Sequence, residues 1–167
     1  FKLLKKYYQI PRDKIYIDDI DINDYQNSDI IYVSQNELLF SDTVYNNIDS
    51  DNIIDISKIC LVDDIIKNNQ LGFNFLIEEN GFNLSGGEKQ RIILARAIAK
   101  PFEILVIDEG LSQVDINMER IIMKNLITMY KDKTIIFISH RIDNIDLFDQ
   151  VIKIEKGNLI SDLSKNI

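Results

Sequence analysis

Cysteine, proline and glycine are scarce in this sequence, and each shortage excludes something. The chain of 167 residues has one cysteine, Cys60, so no disulfide can form within it, which fits a reducing compartment. It has two prolines and six glycines, and the first glycine is Gly72. The pattern G-x-x-x-x-G-K-[ST], which forms a phosphate-binding loop, is absent. No apolar run approaches the roughly 20 residues that cross a bilayer.

Positive charge is also scarce, because 19 Lys and Arg residues stand against 27 Asp and Glu residues and give a formal net charge of −8. Affinity for nucleic acid depends on clustered Lys and Arg, so this balance argues against a nucleic-acid partner. Hydrophobic residues make up 46% of the chain. At this length, that composition is typical of one globular domain with its own core.

Two adjacent glycines, Gly86 and Gly87, follow Ser85 and lead into a mostly apolar run that continues to Pro101. The run predicts a buried helix that begins at the glycines. The first N–H groups of a helix lack internal partners and carry partial positive charge, so phosphate binds there readily. Glycine lets an anion approach the backbone because it has no Cβ. The alternative is an ordinary helix cap with a flexible glycine turn.

An acidic pair, Asp108 and Glu109, follows four consecutive large apolar residues at 104–107. Such a run predicts a strand that is buried on both faces, as in a parallel sheet covered by helices. Ligands of these sheets bind beyond the carboxyl ends of the strands. One carboxylate there can serve Mg²⁺ while its neighbour orients a water molecule. The alternative is a solvated loop that begins after the strand.

Two more apolar runs end in polar residues that suit the same edge of a sheet. Residues 134–138 lead to Ser139 and to His140, the only histidine, and residues 30–34 lead to Gln35. His140 is a candidate for contact with phosphate, and Gln35 for an oxygen that binds a metal or a water. Taken alone, each is more simply a packing or strand-ending residue.

Together these motifs resemble the nucleotide-binding domain of ABC transporters, over nearly the whole chain. Residues 84–90 are similar to the signature motif, 104–109 to the Walker B strand, and 112–115 to the D-loop. Gln35 and His140 fall at the positions of the Q-loop glutamine and the switch histidine. Residues 33–48 and 79–81 resemble the Q-loop run and the X-loop of exporters.

The resemblance implies an α/β fold, with a P-loop NTPase-type sheet, flanking helices and an inserted helical subdomain at about 49–100. It also implies a head-to-tail dimer that binds ATP and Mg²⁺ between its two copies. Asp108 and Gln35 would serve the metal, Glu109 would polarise the attacking water, and His140 would contact the γ-phosphate. The remaining residues implied to contact the nucleotide or the interface are Ser85, Gly86, Gly87, Glu88, Ser112 and Asp115.

The sequence departs from the family in two places. The centre of the D-loop is Gln113 and Val114, where the family usually has Ala-Leu, and Gly110 replaces a more usual Ala or Pro. The phosphate-binding loop is absent, so we expect Phe1 to lie just downstream of a Walker A motif. Residues 1–167 would then be a partial, N-terminally truncated nucleotide-binding domain, which binds ATP weakly or not at all by itself.

The resemblance further implies an ATPase at the cytoplasmic face of the cell membrane, with a transmembrane domain as its partner. It favours an exporter, and a peptide such as a bacteriocin as cargo. Two alternatives come from other classes: an ABC-type ATPase of DNA repair or chromosome organisation, and a non-hydrolytic regulatory module. The first disagrees with the acidic charge and the short span from Gln35 to Ser85, and the second with the presence of Glu109 and His140.

The hydrophobic pattern also predicts the remaining secondary structure. Helices are expected at 1–9, at 51–69 and at 114–130, the last with Ile121 and Ile122 facing inward. Strands are expected at 14–18 and 30–34, a loop at 36–50, and a hairpin with strands at 151–154 and 158–160.

Overall fold

The computed structural model describes residues 3–4, 6–67 and 69–164. Within these residues the strands form three separate sheets. In chain order the strands of the described residues are β1 Tyr16–Ile17, β2 Ile20–Asp21, β3 Ile30–Ser34, β4 Ile104–Asp108, β5 Thr134–Ile138, β6 Gln150–Glu155 and β7 Asn158–Ser164. The α-helices are α1 Val44–Ile48, α2 Ile53–Ile59, α3 Val62–Lys67, α4 Gly86–Ile98 and α5 Ile116–Met129.

The central sheet is parallel, and within the described residues its strand order is β3-β4-β5. Ser34 pairs with Asp108, and Asp108 pairs with Ile138, so the carboxyl ends of the strands are level. The first four residues of β4 are buried because neighbouring strands and helices cover it. This confirms the α/β fold class and the doubly buried strand that the apolar run predicts.

Helix α4 lies at the centre of the core, since its apolar run is buried together with side chains of α1, α2, α3 and the sheet. A polar contact fixes it as well: Nη1 of Arg91 donates to the carbonyl oxygen of Leu61 at 2.6 Å. Burial lowers the pKa of Arg91.

Among the described residues, no helix combines the length and the apolar character needed to cross a membrane.

The loop predicted at 36–50 is wrong in part, because it contains helix α1. The Thr43 side chain caps this helix and accepts from the backbone N–H of Asn46 at 3.0 Å. Val44 and Ile48 are buried, and Asp49 ends the helix in the left-handed conformation at a φ of 51°. A threonine cap and two buried apolar side chains therefore support a short helix within this polar segment.

The single helix predicted at 51–69 is two helices, α2 and α3. Leu61 separates them with a φ of 56°, a conformation that a helix cannot continue through. Cys60 ends α2 and is fully buried, and burial raises the pKa of its thiol. Residue 68 of the predicted helix lies outside the described residues.

The helix predicted at 1–9 is also wrong where it can be judged, since residues 3–4 and 6–8 form turns and bends. Lys6 has a φ of 54°, which excludes a regular helix at that point. Residues 1, 2 and 5 lie outside the described residues. The strand predicted at 14–18 shortens to β1, which pairs antiparallel with β2.

The hairpin predicted near the C-terminus is confirmed and is longer than expected, because β6 and β7 pair antiparallel from Gln150 to Ser164. Its turn at Lys156 and Gly157 has positive φ at both residues, as a tight hairpin turn requires.

In α5 the prediction for Ile122 holds, whereas Ile121 is exposed. The helical period places Ile122 and Leu126 on the buried face and turns Ile121 away from it.

Candidate functional site

The level strand ends bring the predicted catalytic and metal-binding residues to one edge of the sheet, which we call the rim (Gln35, Asp108, Glu109 and His140). Nε2 of His140 lies 2.8 Å from Oε1 of Glu109. The His140 side chain is 91% exposed and that of Glu109 is 31% exposed, so both can be reached from solvent. The rim therefore presents a carboxylate and an imidazole side by side.

Glu109 holds its position through an unusual backbone conformation. Its φ is 53°, so the chain turns sharply as soon as β4 ends. The Glu109 N–H donates to the carbonyl oxygen of Ile138, the last residue of β5, at 3.1 Å. The turn thereby directs the second carboxylate towards the strand end that carries His140.

Asp108 has a partner that the sequence analysis missed. The Tyr32 hydroxyl donates to Oδ2 of Asp108. Burial, and then this hydrogen bond, raise the pKa of Tyr32 to about 12, so the hydroxyl keeps its proton at neutral pH. The signal in the sequence is a tyrosine within an apolar strand, two residues before the strand end that pairs with Asp108.

The rim fits Mg²⁺ as a cation that protein and phosphate share. In the described part of the chain, no three His, Cys, Asp or Glu side chains cluster into a metal site of their own. Mg²⁺ needs few protein ligands when phosphate and water complete its shell. The Asp108 carboxylate and the amide oxygen of Gln35, whose Nε2 donates to Oγ of Ser112 at 3.4 Å, would hold the cation.

The glycine pair begins helix α4 as the sequence predicts, and Ser85 caps it. Glu88 N donates to Oγ of Ser85 at 3.3 Å, and Ser85 N donates to Oε2 of Glu88 at 2.8 Å. This reciprocal pair is a capping box. Ser85 and Glu88 therefore have a structural role at the helix start, whatever else they bind.

The D-loop, residues 112–115, is fastened to helix α4 by Gln90, a signature-motif residue to which the sequence analysis assigned no role. Oε1 of the buried Gln90 accepts from the N–H of Gln113 at 2.8 Å, and its Nε2 donates to Oγ of Ser112 at 3.2 Å. Ser112 also accepts from Gln35. Its hydroxyl thus joins the rim to the start of α4.

A cleft of about 340 Å³ lies between the start of α4 and the D-loop. It is lined by Ser85, Gly86, Gly87, Glu88, Arg91, Gln113, Val114, Asp115 and Met118. Asp115 caps α5, since its side chain accepts from the N–H of Asn117 at 2.9 Å. The cleft gathers five of the residues expected to contact the nucleotide, and it is a surface distinct from the rim.

Comparison with known proteins identifies a family, sequence relatives and a solved structure that are similar to this chain. The model of the family described as ABC transporter matches residues 1–112. The chain is 36% identical over 170 residues to an ATP-dependent lipid A-core flippase of Photobacterium profundum, covering 95% of this chain and 29% of the relative. It is 39% identical over 171 residues to the ATP-dependent lipid A-core flippase 2 of Colwellia psychrerythraea, with the same coverage.

A solved structure of a bacterial Atm1-family ABC exporter with ATP bound shares the fold, with a TM-score of 0.86 and 30% identity. The match covers 98% of this chain and 31% of that chain. The chain spans about 29% of the length of the curated relatives that it matches. The resemblance stated from the motifs is therefore confirmed, and the chain belongs to the ABC transporter family, with the fold of the nucleotide-binding part of an exporter.

Proposed function

We propose that this chain contributes the ATP-hydrolysing site of an exporter. The observation that carries the proposal is the Glu109–His140 pair, 2.8 Å apart at the level ends of β4 and β5. A carboxylate and an imidazole in contact at such an edge suit the positioning of a water against a phosphate. The same pair favours hydrolysis over a purely regulatory module.

Each rim residue has a defined task in this proposal. The Glu109 carboxylate accepts a hydrogen bond from the attacking water and orients it. His140 donates to the γ-phosphate, where negative charge develops. Asp108 holds the cation side of the site, and the Tyr32 hydroxyl keeps that carboxylate in place. When bound, Mg²⁺ neutralises the phosphate charge.

The proposed site is shared between two copies of the chain. The rim and the cleft are separate surfaces, so a nucleotide held on the rim of one copy can meet the cleft of another. There the start of α4 offers glycine backbone and the positive end of the helix dipole to phosphate. A phosphate-binding loop is also needed, and these 167 residues do not contain one.

The partners, location and cargo remain predictions. A transmembrane domain at the cytoplasmic face of the membrane is the partner that the exporter fold favours, and the relatives are named as flippases. The expected cargo was a peptide such as a bacteriocin. The relatives do not support this choice, because their names specify lipid A-core.

The substitution Glu109→Gln in the intact protein tests the proposal. Glutamine keeps the shape of the side chain but cannot act as a base, so we expect ATP turnover to fall by about 10²–10⁴-fold while ATP binding persists. Turnover and nucleotide affinity are measured in membranes or detergent. Glu155→Gln, on the C-terminal hairpin, is the matched control and keeps normal turnover. Near-normal turnover of Glu109→Gln would show that another group is the base.

A further inference from the structure

Arg141, directly after His140, makes two hydrogen bonds to the D-loop that the sequence motifs did not predict. Its Nη1 donates to the carbonyl oxygen of Val114 at 2.9 Å. Its Nη2 donates to the carbonyl oxygen of Ser112. The two arms of one guanidinium thus hold two D-loop carbonyls that are two residues apart.

The same guanidinium also contacts a buried carboxylate. Nη1 of Arg141 also donates to Oε2 of Glu119 at 2.9 Å, and Glu119 is only 2% exposed. Nδ2 of the buried Asn144 donates to the second oxygen, Oε1, of Glu119 at 3.0 Å. A carboxylate this deep is stable only when it is paired, so the network is built into the fold.

The network connects segments that belong to the two surfaces of the site. Arg141 adjoins His140 of the rim, whereas Ser112 and Val114 belong to the loop that borders the cleft. Glu119 lies in α5, which Asp115 caps. Arg141 is therefore the point at which the strand end that carries His140 is fastened to the D-loop.

From these contacts we propose that Arg141 is a positioning residue that couples the rim to the cleft within the same copy of the chain. When His140 meets a phosphate, Arg141 transmits the shift to the D-loop carbonyls of Ser112 and Val114. The D-loop then adjusts the cleft, which contacts the nucleotide on the other copy. The proposal rests on the proposed function, and it adds a physical link between the two sites of a dimer.

The conservative variant Arg141→Lys separates this role from charge alone. Lysine keeps the positive charge, but its single ammonium lacks the planar fork that reaches two carbonyls and a carboxylate together. In the intact protein we expect kcat to fall by about 10-fold or more while KM for ATP changes by less than about 2-fold. We expect the Hill coefficient for ATP to fall from above 1 to about 1. Arg12→Lys, which also alters an arginine paired with a carboxylate, is the control and leaves all three unchanged.

A variant with both charges removed tests whether a lost activity reflects misfolding instead of the loss of the Arg141 contacts. Arg141→Gln combined with Glu119→Gln leaves no unpaired buried charge, so the protein should fold, yet the fork is lost. This variant is expected to lose cooperativity as Arg141→Lys does. Wild-type kcat and Hill coefficient in the folded double variant would overturn the proposal, as would a loss of thermal stability in Arg141→Lys with cooperativity intact. If instead Glu109→Gln turns over normally, the proposed function fails, and that result does not depend on Arg141.

Discussion

Gly86 and Gly87 face different parts of the same residue, Gln113. A Cβ added at Gly86 would lie 1.6 Å from Oε1 of Gln113, at the end of a flexible side chain. A Cβ added at Gly87 would lie 2.9 Å from the backbone carbonyl oxygen of Gln113, a residue whose N–H donates to Gln90. A Cβ at Gly86 would therefore displace a side chain, whereas a Cβ at Gly87 would press against backbone.

Alanine substitutions at these glycines should differ in their effect on stability. Gly87→Ala pushes against backbone, and we expect the free energy of unfolding to fall by about 1–3 kcal/mol. Gly86→Ala displaces only a side chain and gains up to about 1 kcal/mol of helix propensity, so its stability should stay close to that of the parent. Urea unfolding of the two variants measures the difference. Equal losses at both positions would contradict this account, and Gly86→Ala with Gln113→Ala serves as the relieved control.

At the scale of elements, helix α1 is anchored by one of two adjacent asparagines. Asn47 is buried, and its Nδ2 donates to the carbonyl oxygens of Phe40 and Thr43, each at 3.0 Å. Its Oδ1 accepts from the N–H of Phe40 at 2.9 Å. Asn46 is exposed and contacts the side chain of Asp42 at 2.8 Å.

This asymmetry predicts that Asn47→Ala destabilises the fold and that Asn46→Ala does not. Removing the Asn47 amide leaves backbone groups of Phe40 without partners, which costs about 1–3 kcal/mol. The surface change at position 46 should stay within about 0.5 kcal/mol. Chemical denaturation of both variants under one set of conditions checks the prediction, and a similar loss for the two would show that α1 is not anchored in this way.

The elements that could be predicted from sequence are those whose burial is uniform. Strand β4 has four apolar residues in a row because both its faces are covered, and α4 shows the same continuity. Helix α1 was missed because its apolar residues are few and asparagines dominate the segment. The break between α2 and α3 was missed because a leucine at a φ of 56° carries no mark in the sequence.

The same distinction applies to the site. Gln35, Asp108, Glu109 and His140 could be placed at one edge because each ends an apolar run, and parallel strands end together. The partners of these residues could not be placed. Tyr32 and Arg141 act through side-chain contacts with segments that lie far away along the chain. Such contacts depend on tertiary packing, which local patterns do not encode.

At the scale of the whole molecule, the described residues form the two surfaces to which we assign function, the rim and the cleft. Ser112, Gln90 and Arg141 connect them within one copy. The rim carries the pair suited to hydrolysis, and the cleft carries the helix start suited to phosphate. This division is the physical reason that our account places one nucleotide between two copies.

The central claim is tested most directly by the structure of the intact Glu109→Gln protein with ATP and Mg²⁺. Our account predicts two copies arranged head to tail, with each γ-phosphate between His140 of one copy and Gly86 and Gly87 of the other. Gln35 and Asp108 of the first copy should lie on the cation side of the same nucleotide. A nucleotide bound by a single copy at saturating ATP, with the cleft of the second copy facing solvent, would contradict the account.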